Sequence, residues 1–208
     1  MGVWTDRVVP RMADRVLRGP EIGELRGQAC TPLHGQVLEI GFGSGLNVRW
    51  YPPAVTSVAA VEPSNVGWRL SERRRARSAV PIERRGLDGQ RLDEPDAAYD
   101  AVLLTFTLCT IPDPVLALSE VRRVLRADGV LCVLEHGLSP EPDVARWQHR
   151  LDPLQRRVAG GCHLTRDIEA LVTGAGFVVT HLETSYLEGP RSGRPWAYGY
   201  LLSARPSP

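Results

Sequence analysis

The stretch LEIGFGSGLN, residues 38–47, constrains this chain more than any other. An apolar run of Val37, Leu38 and Ile40 gives way to three glycines at alternate positions, Gly41, Gly43 and Gly45. A turn of this kind between a buried strand and a helix lets a ligand approach the backbone and exposes unpaired N–H groups. Two adenosine-bearing ligands fit that description. A dinucleotide fingerprint would carry its third glycine at position 46, with a helix N-terminus facing the pyrophosphate; that slot holds Leu46. Glu39 stands two residues before Gly41, where a pyrophosphate's charge would be unwelcome, so the turn suits a ligand with a cationic end.

Strand-like and helix-like segments alternate around the turn, the pattern of a doubly wound α/β chain with a mostly parallel sheet covered on both faces. QVLEI (36–40), SVAAV (57–61), DAVLL (100–104) and VLCVLEH (130–136) are short apolar runs separated by polar stretches such as SERRRARSA (71–79). A helical lead-in is expected within residues 1–35, over 11–26 and broken at Gly19-Pro20. Apolar spacing at Val115, Leu118, Val121, Val124 and Leu125 predicts a helix over 114–126, stopped by Gly129. A helical insert is expected over 141–159, inside a lid-like segment 141–164, followed by a helix from Thr165 to Gly174. FVVTHL (177–182) and WAYGYLL (196–202), joined by GPRSGRP, predict an antiparallel closing hairpin. With 208 residues and no internal repeat, one domain over 1–208 is expected.

Composition removes several chemistries. All twenty-five basic residues are Arg, so no Lys can act as a base or form a Schiff base; Arg without Lys also reads as GC-rich, bacterial codon usage. A net charge of +1 gives no global field for nucleic acid or anionic lipid. The Arg-rich residues 73–77, with Arg84 and Arg85, are interrupted by acids and lack interleaved aromatics, so they read as a solvated helix face. Cys30, Cys109, Cys132 and Cys162 are far apart and form no C-x-x-C pair. No metal or disulfide is therefore expected, and reduced thiols in a cytoplasmic protein are the plainer reading. No apolar run reaches membrane-spanning length and MGVWTDRVVP has no signal-peptide core, so no membrane partner is expected.

Five segments in order resemble one family, the class I S-adenosylmethionine-dependent methyltransferases. They are LEIGFGSG (38–45), AVEPS ending the second strand, GLDGQRL (86–92), YDAVLLTFTLCTIPDP (99–114) and VRRVLRADGVL (121–131). The resemblance implies S-adenosylmethionine as cofactor and a seven-stranded sheet with an antiparallel C-terminal hairpin and a helical insert after the fifth strand. It places Glu39, Gly41, Gly43 and Gly45 at the cofactor's amino-acid end, and Glu62, followed by Pro63, on the ribose hydroxyls. Asp88 and Gly89 fall at the adenine, with Asp88 read equally well as a turn-forming residue. Thr105, Phe106, Thr107 and His136, at the ends of the fourth and fifth strands, lie beside the methyl group. VRWYPP, the pair Glu135-His136, GGCHLTRD and the terminal YGYLL are similar to the small thiol methyltransferases of this family, whose eukaryotic members carry a membrane anchor that this sequence does not show.

Methyl transfer from a sulfonium asks chiefly for an in-line, desolvated nucleophile. A thiol brings its own partial ionisation, whereas a phenol or alcohol needs a base. The expectation is a hydrophobic small-molecule thiol, with a phenolic or quinone-like O-acceptor as the alternative. His136 and Thr107 are the candidate catalytic residues, His136 orienting or deprotonating the acceptor and equally readable as a structural histidine. Trp147, Leu151 and Leu154 could wall the acceptor pocket, with core packing the plainer reading, and His163 could reach it from the insert, with a structural role the plainer reading. Amino-group enzymes acting on nucleic acid carry a Pro-Pro-aromatic motif where this chain reads TFTLCTIP, which argues against a nucleic-acid substrate. A cofactor-binding module without turnover, or a nicotinamide oxidoreductase, stays open, and the oligomeric state is not legible.

Overall fold

A computed structural model describes residues 4–208. A π-helical turn, Trp4–Val8, leads into α1 (Val9–Val16) and α2 (Pro20–Cys30). Then follow β1 (Gly35–Ile40), β2 (Val55–Val61), α3 (Asn65–Leu70), α4 (Glu72–Arg75), β3 (Ile82–Gly86) and β4 (Tyr99–Thr105). The second half runs α5 (Pro114–Val124), β5 (Leu125–His136), α6 (Pro142–Val158), α7 (Ile168–Gly174), β6 (Phe177–Tyr186), α8 (Arg194–Ala197) and β7 (Tyr198–Pro206).

The seven strands form one sheet in the order β3-β2-β1-β4-β5-β7-β6. β3 through β5 are mutually parallel, while β7 runs antiparallel to both β5 and β6. Strands buried on both faces read as continuous apolar runs rather than alternations, and β4 and the 130–135 part of β5 do so. One face packs Leu38, Leu104, Leu118, Leu131 and Ile168. The opposite face packs Val37, Leu103, Cys132 and Leu134 against Ala29 and Leu33. The chain passes from β1 outward to β2 and β3, then returns to lay β4 on the other side of β1. That reversal opens a crevice at the carboxyl ends of β1 and β4, where open α/β sheets bind ligands.

Several expected boundaries move for local reasons. The helix expected from Thr165 begins at Ile168, because the Asp167 carboxylate accepts the Ala170 N–H at 3.0 Å and caps it there. The helix expected to Arg126 stops at Val124, since Leu125 already pairs with Tyr99 as the first residue of β5. WAYGYLL is not a strand throughout: residues 194–197 form α8 and pairing starts at Tyr198. The polar stretch before GLDGQRL holds an unexpected strand, β3, whose sequence IERRG has one strongly apolar residue because it lies at the sheet edge with only β2 beside it.

Candidate active site

The glycine turn leaves β1 with Gly41, Gly43 and Gly45 at φ +77, +57 and +74, a region L residues adopt only at a cost. A Cβ on Gly41 would lie 2.0 Å from Thr107 Oγ1, and one on Gly45 would crowd Ser71, Phe42 and Val48 at 3.1–3.2 Å. Gly43 differs: its Cβ would meet nothing nearer than Gly41 O at 3.8 Å. Two of the glycines therefore serve protein packing, and Gly43 lines open space. Its N–H donates to Glu62 Oε2 at 2.6 Å, while Ser64 N–H donates to Glu62 Oε1 at 2.6 Å. Glu62, at the end of β2 and 5% exposed, thus ties the turn to β2 and keeps further lone pairs for a ligand. Burial pushes its carboxyl upward, opposed by these backbone donors.

Behind the turn Glu39 is fully buried. It accepts from Asn47 Nδ2 at 3.0 Å and from the Tyr51 hydroxyl. Burial pushes its carboxyl up to about 7, with the Tyr51 and Asn47 hydrogen bonds and the Arg26 charge opposing. Arg26, on α2, donates to Asn47 Oδ1 at 2.7 Å and Thr105 Oγ1 at 2.9 Å, and its Nε has no partner among the described residues. Glu39 and Thr105 thus sit in a buried hydrogen-bond network behind the turn.

Above the turn lies α1, whose one buried residue, Asp14, accepts from Ser44 Oγ at 2.7 Å and pairs with Arg74 Nη1 at 2.9 Å. The preceding turn reaches the insert, with Trp4 Nε1 donating to Val158 O at 2.9 Å.

The other wall of the crevice is built on the ends of β4 and β5. Phe106 takes φ +53, costly for a non-glycine residue, with the Arg26 guanidinium 5.3 Å from its ring centroid. The reversal sends the following N–H groups toward Glu135, which is fully buried and accepts from Thr107 N, from Leu108 N at 2.7 Å and from Cys109 N at 3.3 Å. Thr107 Oγ1 donates to Ile40 O at 3.1 Å, which fixes the loop beside Gly41. His136 Nε2 lies 2.9 Å from Cys162 Sγ, and its Nδ1 is buried with no partner among the described residues. Cys109, His136 and Cys162 bring their ligand atoms within 4.8 Å of one another. A hydrogen bond from Cys109 and those of His136 and Gln155 pull the Cys162 thiol down to about 4 against burial. Cys109, the donor, and His136 move upward.

The remaining expected site residues are placed as follows. Asp88 is exposed and its Oδ1 accepts from Gln90 N at 2.9 Å and Gln90 Nε2 at 3.0 Å, a turn-forming arrangement. Gly89 packs over β1, where a Cβ would come within 2.5 Å of Ile40; Pro63 is exposed after Glu62. Trp147 is 54% exposed and Leu154 60%, so neither belongs to the core as the plainer reading had it; Leu151 is half-buried. His163 Nδ1 sits 3.6 Å from Asp152 Oδ2, and its own N–H donates to Cys109 O at 2.8 Å. Arg26, Asn47, Tyr51 and Glu135 organise the site without having been singled out for it. A hydrogen-bonding residue gives no sequence signal when its partners lie on other strands. Cys109 and Cys162, far apart in sequence, converge on His136 in the fold.

The profile of the methyltransferase domain family matches residues 38–133, from the glycine turn through β5. The thiol S-methyltransferase TMT1B of Rattus norvegicus is 32% identical over 169 residues, covering 78% of this chain and 67% of that protein. Human thiol S-methyltransferase TMT1A is 31% identical over 174 residues, covering 80% and 70%. The chain belongs to the class I S-adenosylmethionine-dependent methyltransferases. A solved structure of a putative methyltransferase from Bacillus halodurans shares the fold at TM-score 0.72 and 15% identity, over 91% of this chain and all of that one. As a methyltransferase the protein uses S-adenosylmethionine, which supplies an activated methyl group on a sulfonium. The residues present fit that cofactor: an open approach at Gly43, a buried acid at Glu62 and no third dinucleotide glycine.

Proposed function

We propose that this methyltransferase acts on the sulfur of a small hydrophobic thiol. The likeness to the two thiol S-methyltransferases, over 169 and 174 residues and so longer than the 38–133 match to the family domain, is the observation that carries the reading. The chemistry of the site supports it. No Lys is present anywhere, and His136 has its Nε2 engaged with Cys162 and its Nδ1 buried. A group so placed is a poor base for a high-pKa hydroxyl, whereas a thiol at a reference pKa of about 8.5 is partly ionised without help. Glu62, Gly43 and the Asn47–Glu39 network hold the cofactor, while Thr107 and His136 border the acceptor.

Radiolabelled methyl transfer to a panel of thiols, phenols, amines and tRNA tests the proposal. Hydrophobic thiols should be methylated at a rate that climbs with pH as the acceptor's thiolate fraction rises. Efficient methylation of phenols with no thiol accepted would replace it by the O-methyltransferase reading.

A further inference from the structure

We infer that Cys109, His136 and Cys162 form a zinc site with three protein ligands and a fourth position that takes the acceptor sulfur. The ligand set stands on its own geometry; the occupant of the fourth position rests on the thiol reading above.

Two cysteines and one histidine are the donors a structural or catalytic zinc ion prefers, and zinc bound by only three protein ligands keeps its fourth position for water or substrate. Here the three ligand atoms lie within 4.8 Å of one another, and no fourth Cys, His, Asp or Glu among the described residues joins them. Tetrahedral bonds of about 2.0–2.3 Å place ligand atoms roughly 3.3–3.8 Å apart. The widest separation therefore needs to contract by no more than about 1–1.5 Å, a side-chain adjustment.

The backbones carrying the ligands are tied together. His163 N–H donates to Cys109 O at 2.8 Å, joining two of the ligand loops directly, and Cys162 N–H donates to Ala159 O at 3.2 Å. The Cys109 N–H rests on Glu135, and His136 pairs in register with Gly199 of β7. Glu135, next to His136 in the chain, already accepts three backbone N–H groups, and Asp152 accepts from Leu164 N at 2.7 Å. Cys30 and Cys132 supply the contrast: both belong to the apolar cluster on one face of the sheet and join no such group. Charge also balances, since a dication offsets two thiolates beside a neutral imidazole, whereas buried charge without a partner is costly.

Thr107, two residues before Cys109, rests on Ile40 O beside Gly41, so the cluster shares the crevice end of the sheet with the cofactor turn. In the transfer step the acceptor thiol would lose its proton to water on ligating zinc. Its sulfur lone pair then forms the new S–CH3 bond as the sulfonium C–S bond breaks, and the product thioether, an uncharged and weaker ligand, leaves.

The test is metal content of the full chain purified under reducing, air-free conditions and incubated with zinc, followed by dialysis. About one zinc per chain is expected. Cys109→Ser and Cys162→Ser should each cut retained zinc at least tenfold, while Cys132→Ala retains it. Should a ligand variant fail to fold, cobalt loaded into the wild type gives a second readout, a thiolate-to-cobalt charge-transfer band. Wild type that retains no zinc and shows no such band, or a Cys109–Cys162 disulfide that persists under reductant, overturns the site. Thiol methylation by zinc-free protein at the rate of the zinc-loaded protein overturns the role of the fourth position but leaves the thiol reading intact. Retained zinc with phenols methylated and thiols ignored upholds the ligand set and overturns the thiol occupant together with the thiol reading.

Discussion

Each half of the site is organised by a buried glutamate that accepts backbone N–H groups. Glu62 gathers Gly43 and Ser64, and Glu135 gathers Thr107, Leu108 and Cys109. At the glycine turn the glutamate closes a loop contiguous in sequence, and Gly43 beside it lines open space. At the ends of β4 and β5 the glutamate lies deeper, at 0% against 5% exposure, and all its hydrogen bonds are internal. One carboxylate borders open space and the other braces a loop. The same residue type at the end of a parallel strand can do either, and what decides is whether the backbone it captures leaves open space, as at Gly43, or folds back over the strand end, as at Phe106.

The sharpest way to break this comparison is Glu135→Ala. Removing the acid strands three N–H groups away from water, and the loss should be about 3–5 kcal/mol of unfolding free energy in urea titration. A loss below ~1 kcal/mol would mean that Glu135 does not hold the loop. Glu39 gives the next effect. Its folded carboxyl is raised from an ordinary 4.5 to about 7 by burial, with Tyr51, Asn47 and Arg26 opposing and Glu62 adding to the rise. The stability this contributes is fully present below about pH 4.5 and lost as pH climbs through 7. On the order of 2–3 kcal/mol of pH-dependent stability should therefore vanish in Glu39→Gln, seen as a flatter profile of melting temperature between those pH values.

The cofactor side is tested by affinity. Glu62→Ala should weaken S-adenosylhomocysteine binding by about 1.5–3 kcal/mol in calorimetry, because a charge-assisted contact is lost and Gly43 is released. Asp88→Ala should cost less than about 1 kcal/mol, since that carboxylate is exposed and serves its own turn. A reversed order would move the ligand-binding acid from the end of β2 to the 86–92 loop.

The same contrast explains what could be read from the chain alone. The glycine turn, the buried strands and the closing hairpin announce themselves because each is a local pattern of a few residues. β3 did not, since an edge strand needs little apolar content, and Thr165 passed for a helix start because the capping side chain is Asp167. Arg26 sits on α2 as one charged residue among many, yet it is 4% exposed and bound to groups on other segments. Cys109, His136 and Cys162 come from the loop after β4, the end of β5 and the turn after α6, and only the sheet order brings them together. Spacing rules for metal ligands presume neighbours in sequence, and here the neighbours are made by folding.

The helix α1 lies over the glycine turn through Asp14, its one buried residue, held by Ser44 and Arg74. A cover fastened by charge and a hydroxyl, with little apolar surface beneath it, is loosened by dissolved ions far more readily than a greasy one. Rising ionic strength should therefore free α1 from the glycine turn while leaving the apolar packing of the sheet in place, seen as faster amide exchange confined to residues 9–16.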